Sequence, residues 1–494
     1  MDSSKVISFN QHVVLELPSG NLKIAELRPN NSISLGKFGA FYINDIIGYP
    51  LGSRFEINYE VKEGEEGFAE DSKEKKKPKH MQKKIPIGKA KLMIETPAIN
   101  ETSDDNEDRS DSIGTIADEL EYENSLNNKN LNIKGNPSEI QELSMAEIEE
   151  MKKQYANTNS QDIINKIIQS HKEFNLKTKY SQLKYLNRKK SKFSKEFIVH
   201  KMTGRLLLNY LIDKGDIQRI MDMSEESIGM ILNYGNVKSN GKYLVIDETG
   251  GLLVYFMMER MFGHVTENDM ENKKFEGEII VIHENEHVNL DLLKFSNYSE
   301  KFIKKHIKSI SILDFFEPPT EEEINNGFTK LTREELSKLS NGERNVYQRR
   351  IKGYYKQCQI VELTKNDRKY DGLIVASTLQ LTQLIPRLGP KIHGSRSIIC
   401  YSQFKEILLE LSHELYSDLN YLAPTLMETR CRPYQSVRGK LHPLMTMRGG
   451  GGYLMWSLKV EPAPPIPSIE IEPKEDISET KNEETEAETK KQKI

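Results

Sequence analysis

Apolar and polar positions alternate with a short period along the first part of the chain and change rhythm twice afterwards. His12–Leu17 and Leu22–Leu27 are alternating runs on either side of Pro18-Ser-Gly-Asn21, a hairpin signature. Arg28-Pro-Asn-Asn31 makes the next turn, and Phe41–Ile47 and Arg54–Tyr59 supply further strands. Glu60–Lys84 is rich in charge, and alternation resumes at Lys89–Ile94. Residues 1–97 therefore predict a small N-terminal β-barrel domain with a solvated insertion at about 60–84. Barrels of this size bind RNA in some proteins and serve only as packing modules in others.

Residues 98–143 carry few apolar side chains and read as a disordered acidic linker. Helical spacing begins at Ser144-Met-Ala-Glu147, which fits a capping box, and continues in the stripe Ile163, Ile164, Ile167 and Ile168. Thr203–Leu211 and Ser224–Asn233 are amphipathic helices, the second with Ser224 as N-cap and Glu225 and Glu226 in its first turn. Residues 144–235 thus form a helical, basic connecting region. A third rhythm follows. Tyr243–Ile246 is a buried strand that ends in Asp247, turns through Gly250 and Gly251, and leads into an apolar helix from Leu252. Gly277–Ile282 is a second buried strand, and residues 300–345 are helical and charged. Strands at Asp371–Ser377 and Ser397–Tyr401 alternate with helices at Leu379–Leu388 and Phe404–Leu415, and strands at Glu428–Tyr434 and Gly452–Val460 close the series. Residues 236–461 therefore predict an α/β domain of the Rossmann-like kind, its sheet parallel except for one final antiparallel strand. Residues 462–494 read as a disordered acidic tail.

Composition narrows the setting. A net charge of −4 over 494 residues gives no global nucleic-acid signature. The mean hydropathy of −0.62 agrees with long segments too polar to pack. Cys358, Cys400 and Cys431 are too far apart for a disulfide framework or a zinc knuckle, so a reducing compartment is expected. No apolar run approaches membrane-spanning length, and no secretory signal opens the chain, so no membrane partner is expected.

Cations concentrate locally. Tyr180–Lys195 carries Lys184, Arg188, Lys189, Lys190, Lys192 and Lys195 among Tyr180, Tyr185 and Phe193. Ammonium and guanidinium groups neutralise phosphates while aromatic faces stack on bases, so this block is the first candidate for RNA contact. A solvated helix face or a nuclear-import signal would look the same. A second block, Asn345–Lys356, adds Arg349 and Arg350, with an amphipathic helix burying Val346, Tyr347, Ile351 and Tyr354 as its plainer explanation. His283-Glu-Asn-Glu-His287 spells a zinc-protease pattern, but Glu278–Ile282 before it is a β run, and a strand end does not bring i and i+4 side chains together. Arg448-Gly-Gly-Gly-Gly-Tyr453 could cradle a phosphate or make a tight turn. Glu284 stands where a ribose-binding acid would, at the end of the second strand, although 33 residues beyond Gly251.

Several long stretches together resemble one family. They are Ser181-Gln-Leu-Lys-Tyr-Leu186, Asn236–Leu252, Tyr370-Asp-Gly-Leu-Ile-Val-Ala-Ser377, Gly394–Glu406, Arg432-Pro-Tyr-Gln435 and His442–Leu454. In this order they resemble the non-catalytic subunits of the eukaryotic tRNA (adenine-58-N1) methyltransferases. The resemblance implies a degenerate class I methyltransferase fold behind an N-terminal barrel and a catalytic partner subunit that holds S-adenosylmethionine. It also implies assembly as an α2β2 heterotetramer, tRNA lying across both subunit types, and a nuclear location, for which Lys75-Lys-Lys-Pro-Lys79 and Arg188–Lys192 are import-signal candidates.

Two places in the sequence fit a subunit without chemistry of its own. Methyltransferases that bind S-adenosylmethionine follow the strand-end acid with glycines at every second position, whereas Asp247 is followed there by Thr249, Gly251 and Leu253. Active relatives end the fourth strand with an acid and Leu-Pro, whereas this chain has Ser377-Thr-Leu379. The expectation is no catalytic residue, no cofactor and no metal in this chain. An active RNA methyltransferase using Asp247, Gly251 and Glu284, or a stand-alone RNA-binding factor of translation, are the alternatives.

Overall fold

In the computed structural model the described residues are 5–59, 87–93, 160–171, 179–263, 275–437, 440–445 and 447–461, with Glu147 and Phe174. The acidic linker, the candidate capping box apart from Glu147, the lysine run 75–79 and the tail beyond residue 461 lie outside them.

The N-terminal strands are β1 (His12–Glu16), β2 (Leu22–Glu26), β3 (Ser32–Ser34), β4 (Ala40–Tyr42), β5 (Arg54–Asn58), β6 (Ile87–Leu92) and β7 (Glu196–Lys201). They form one sheet in the order β2-β1-β7-β5-β6-β4-β3. It is rolled around Phe41, Phe55 and Phe197, whose rings stack at 4.4 and 5.6 Å, and the Lys23 ammonium on β2 donates to the Ser34 carbonyl on β3 across the open seam. Strand β7 was not expected. It comes from the stretch read as helical, and it fills the gap between β1 and β5 by antiparallel pairing to both. Its apolar positions, Phe197 and Val199, are two apart and wholly buried, but the sequence signal is drowned by the lysines before it. The barrel thus closes only when the chain returns to it after the linker. The expected strand Phe41–Ile47 is shorter, ending at Tyr42 in a 3₁₀ turn, Ile43–Asp45.

The second sheet holds β8 (Lys242–Asp247), β9 (Glu278–His283), β10 (Ile307–Ser311), β11 (Tyr370–Ala376), β12 (Ile392–Ser402), β13 (Tyr421–Glu428) and β16 (Tyr453–Lys459). Their order is β10-β9-β8-β11-β12-β16-β13. Six strands run in one direction, and β16 runs antiparallel between β12 and β13. This is the class I methyltransferase order, with its switch point between β8 and β11. Strand β10 lies within the stretch expected to be helical, where five residues suffice for a buried edge partner. The chain leaves the sheet after β13 for a small hairpin of β14 (Tyr434–Val437) and β15 (Lys440–Pro443), whereas the sequence suggested one strand over Glu428–Tyr434.

The helix Leu252–Phe262 packs on one face of the sheet with Leu253, Val254, Met257 and Met258 fully buried. Helices Gly204–Lys214 and Glu225–Tyr234 cover the same face, N-capped by Thr203 and by Ser224, the second as the sequence indicates. Helices Leu381–Leu388 and Lys405–Ser417 cover the other face. Three helices, Glu321–Gly327, Arg333–Lys338 and Asn341–Thr364, stand between β10 and β11 as an insertion.

Candidate functional site

In an open α/β sheet the ligand site lies beyond the carboxyl ends of the strands flanking the switch point. Here that place is a cavity of about 290 Å³ lined by Asp247 and Glu248 after β8, His283 to Asn285 after β9, and Thr378 and Leu379 after β11. The carboxylates of Asp247 and Glu248 are already engaged within the chain. Asp247 Oδ1 accepts from the Thr249 amide (2.8 Å) and the Thr249 hydroxyl, and Oδ2 accepts from the Val254 amide (3.1 Å). Thr249 Oγ1 in turn accepts from the Leu253 amide (3.3 Å). The first N–H groups of the helix, which would otherwise face a ligand, are thereby satisfied from within. Burial raises the Asp247 carboxyl above its usual range, against the opposing pull of these hydrogen bonds.

Glu248 closes the other side. Its carboxylate accepts from the Ser377 hydroxyl, the Thr378 amide (2.9 Å) and the Thr378 hydroxyl (2.8 Å). The strand end where active relatives present an acid is occupied by donors, and the carboxylate that meets them comes from the neighbouring strand.

The glycine turn is itself covered. Gly250 and Gly251 have φ of +75° and +91°. A methyl group on Gly251 would stand 3.0 Å from Leu290 Cα, and one on Gly250 would stand 3.2 Å from Arg219 Nε. The Leu292 amide donates to the Gly250 carbonyl (3.1 Å). The Gly251 face is packed against the backbone of Leu290 and the Gly250 face against the Arg219 side chain, which narrows the clearance a methionine moiety would need. Leu290 and Arg219 carry no motif, and only the fold reveals them. Glu248 directly follows the strand-end acid and could have been singled out.

The remaining sequence candidates fall as follows. His283 ends β9 and its Nδ1 meets the Asn285 carbonyl (2.6 Å), so the two motif histidines are not on a helix. No group of metal-ligating side chains converges among the described residues. Among the four glycines of the late loop, Gly451 donates to the Asp222 carbonyl (2.7 Å) with φ +112°, and Arg448 pairs with the Asp222 carboxylate, which makes the loop a packing turn. Cys358, Cys400 and Cys431 are free thiols.

The basic block becomes the helix Lys179–Phe193 and the residues that lead into β7. Lys184, Arg188, Lys190 and Lys192 are exposed. Lys184, Arg188 and Lys192 recur every four residues and share one face. Lys189 lies over the Tyr185 ring at 5.0 Å, and Lys195 lies over Tyr59 at 5.0 Å with its ammonium held below its ordinary value by burial, partly offset by Glu56. Phe193 and Tyr185 pack against Ile163, Ile164 and Ile167 of the helix Ser160–Gln169 rather than facing solvent. Arg349 and Arg350 are exposed on a different element, the helix Asn341–Thr364. Its Tyr347 and Tyr354 rest on Phe328 as the amphipathic reading expects, while Val346 stays exposed.

Relatives then decide what such a sealed frame is. Residues 6–340 match the Gcd10p family. The chain is 52% identical over 495 residues to the tRNA (adenine(58)-N(1))-methyltransferase non-catalytic subunit TRM6 of Candida glabrata, with 100% of both chains covered. The chain belongs to the Gcd10p family. The TRM6 subunit of Kluyveromyces lactis is also 52% identical, over 463 residues, covering 94% of this chain and 89% of its own. Among solved structures, a SAM-dependent O-methyltransferase from Thermotoga maritima covers 94% of this chain and 98% of its own at 9% identity and a TM-score of 0.44.

Proposed function

We infer that this protein is the non-catalytic subunit of a tRNA (adenine(58)-N(1))-methyltransferase complex. The observation that carries the reading is Leu290 lying in the bare face of Gly251, in a chain whose close relatives carry that name. The methyltransferase frame is retained for its surfaces. The catalytic partner holds S-adenosylmethionine and transfers the methyl group, and this chain holds no cofactor.

Two surfaces support the roles left to it. Lys184, Arg188, Lys190 and Lys192 on one helix and Arg349 and Arg350 on another are exposed cations placed to meet tRNA phosphates, with Lys189 and Lys195 backing the first group. On the opposite edge of the sheet, Leu409, Tyr416, Leu419 and Leu422 surround β13 as exposed apolar side chains, Leu419 at 94% and Tyr416 at 81%. An exposed strand edge with apolar neighbours is a surface for another subunit. The pairs assemble as an α2β2 heterotetramer in the nucleus.

Co-expression with the catalytic subunit tests the reading. Methylation of tRNA requires both chains, and this chain alone, supplied with S-adenosylmethionine, gives none. Methylation by this chain alone would overturn it, as would full activity of the partner alone.

A further inference from the structure

The helix Asn341–Thr364 is buried only toward its end, at Ile360, Leu363 and Thr364. Before that it carries Arg344, Arg349, Arg350, Lys352 and Lys356, with no acidic residue between Arg344 and Val361. Arg344 is taken up by the Leu336 and Ser337 carbonyls (3.1 and 3.0 Å). The other four cations are exposed, and none forms an ion pair among the described residues. Asn345, Arg349, Lys352 and Lys356 recur at intervals of three and four, so they share one face of the helix. That face has no partner among the described residues.

The described chain ends at the foot of this helix. Lys391 Nζ, next to the first residue of β12, donates to the Thr364 carbonyl (2.8 Å). Lys369, just before β11, holds Glu461 (2.7 Å), and Glu461 lies against Gly394 of β12, where a methyl group would stand 3.1 Å from its Cγ. Beyond Glu461 the sequence runs Pro-Ala-Pro-Pro-Ile-Pro467 and then, from Glu470 to Glu488, carries nine carboxylates and two lysines. Along the helix, Lys356 stands about 12 Å and Arg349 about 22 Å from Thr364. The nine residues from Glu461 to Glu470 span up to about 30 Å when extended, so the first carboxylate already reaches the cationic face and the others follow it.

We propose that the acidic run 470–488 folds back on the face of Arg349, Lys352 and Lys356 and competes with RNA phosphates for it. A tether of this length supplies the carboxylates at an effective concentration on the order of millimolar. RNA held through few phosphates does not displace them, whereas tRNA that also engages Lys184, Arg188 and Lys192 does. The result is discrimination against other RNA rather than added affinity for tRNA. The proposal rests on the reading of this chain as a tRNA-binding subunit, and it says how that surface rejects other RNA.

The test uses the full chain copurified with its catalytic subunit, with a uridine homopolymer and tRNA as probes. Changing the eight glutamates of the run to glutamine, together with Asp476→Asn, is expected to tighten homopolymer binding about tenfold and tRNA binding less. In a chain that already carries Arg349→Gln, Lys352→Gln and Lys356→Gln, the same change is expected to have no effect. Those three cations are exposed, so their replacement spares the fold. Carbodiimide, which condenses an amine directly with a carboxylate, is expected to join Lys352 or Lys356 to the acidic run in the RNA-free complex and not when tRNA saturates it. If neutralising the run tightens binding equally with and without the helix cations, it repels RNA from elsewhere and the inference fails. The inference also fails if homopolymer binding does not change, or if no cross-link to this helix forms. In each of these cases, preference of the parent complex for tRNA over the homopolymer leaves the underlying reading standing. A parent complex that binds tRNA no more tightly than the homopolymer overturns that reading, and the inference with it.

Discussion

Leu290 packs its backbone into the face of Gly251 so closely that a Cβ there would stand 3.0 Å from Leu290 Cα. The glycine kept from the cofactor turn is now required by the protein's own loop. Gly251→Ala combines that contact with a side chain at φ +91° and is expected to cost about 1–3 kcal/mol. Urea unfolding of the subunit measures it. Backbone strain at φ +91° adds to the cost wherever Leu290 lies, so an unchanged midpoint would remove both the strain and the Leu290 contact from the turn.

Thr249→Gly restores the glycine spacing of an active methyltransferase, yet the structure predicts a loss rather than a gain. The threonine hydroxyl donates to buried Asp247 and accepts from the Leu253 amide, and removing it leaves both short of a partner. The expected cost is about 1–3 kcal/mol. Calorimetry with S-adenosylmethionine is expected to show no micromolar binding, because Leu290 and Arg219 still cover the turn. Micromolar binding by this variant would mean that Thr249 alone had closed the site.

The sheet was legible because its strands are continuous apolar runs: Tyr243–Ile246, Ile279–Ile282 and Leu373–Ala376 are buried on both faces, and their parallel direction followed from the helices between them. The loss of chemistry was legible too, since Thr249 and Ser377 stand at fixed offsets from strand ends. What closed the site was not. Leu290 and Arg219 reach the turn from separate loops, and nothing local in Asn289-Leu290-Asp291 distinguishes it from any other connection. Strand β7 was hidden for a different reason, because its pairing partners β1 and β5 precede it by well over a hundred residues and its flanks are lysine-rich. In the basic block composition suggested exposed aromatics, but Tyr185 and Phe193 are half-buried and buried against the isoleucine stripe.

Glu278 at the start of β9 makes stability depend on pH. Burial alone would raise its carboxyl, but the hydrogen bond and charge of Lys308 (3.0 Å) and the Arg368 guanidinium (2.6 Å) together bring it below the ordinary 4.5. A depressed carboxyl stabilises the fold above its unfolded value, and that contribution is lost as pH falls through the folded value. Glu278→Gln is therefore expected to cost about 1–2 kcal/mol at pH 7. The difference from the parent should shrink in acid and close below the folded value. A difference that stays constant down the acid range would mean that ionisation of Glu278 plays no part.

The cations of the basic helix separate into two kinds. Lys189 and Lys195 lie over aromatic rings, so reversing them perturbs packing as well as charge. Lys184, Arg188 and Lys192 are exposed on one face and make the cleaner set. Their joint change to glutamate is expected to weaken tRNA binding by the complex at least tenfold and lower the salt slope by about three, roughly one per phosphate contact. Filter binding across a salt series reads both quantities. A slope equal to the parent's would take this face off the RNA.

Asn297 ties the barrel to the loop that seals the turn. Its Oδ1 accepts from the His12 amide (2.7 Å) and its Nδ2 donates to the His12 carbonyl (2.9 Å), while the His12 ring stands edge-on to Phe295 at 5.4 Å. Phe295 ends the 3₁₀ turn Asp291–Phe295, and Leu292 in that turn holds the Gly250 carbonyl. Strand β1 and the glycine turn are thus the two ends of one short segment. Asn297 sits at φ +59°, which glycine adopts more readily still, so Asn297→Gly keeps the backbone and removes only the two side-chain hydrogen bonds. The expected cost is about 1–2 kcal/mol. Its location tells more than its size. If the segment moves as a unit, hydrogen exchange should quicken at the Leu292 amide as well as at His12, because loosening one end frees the other. If only His12 exchanges faster, Leu290 and Leu292 hold the turn without help from the barrel, and the barrel's position has no bearing on the closed site.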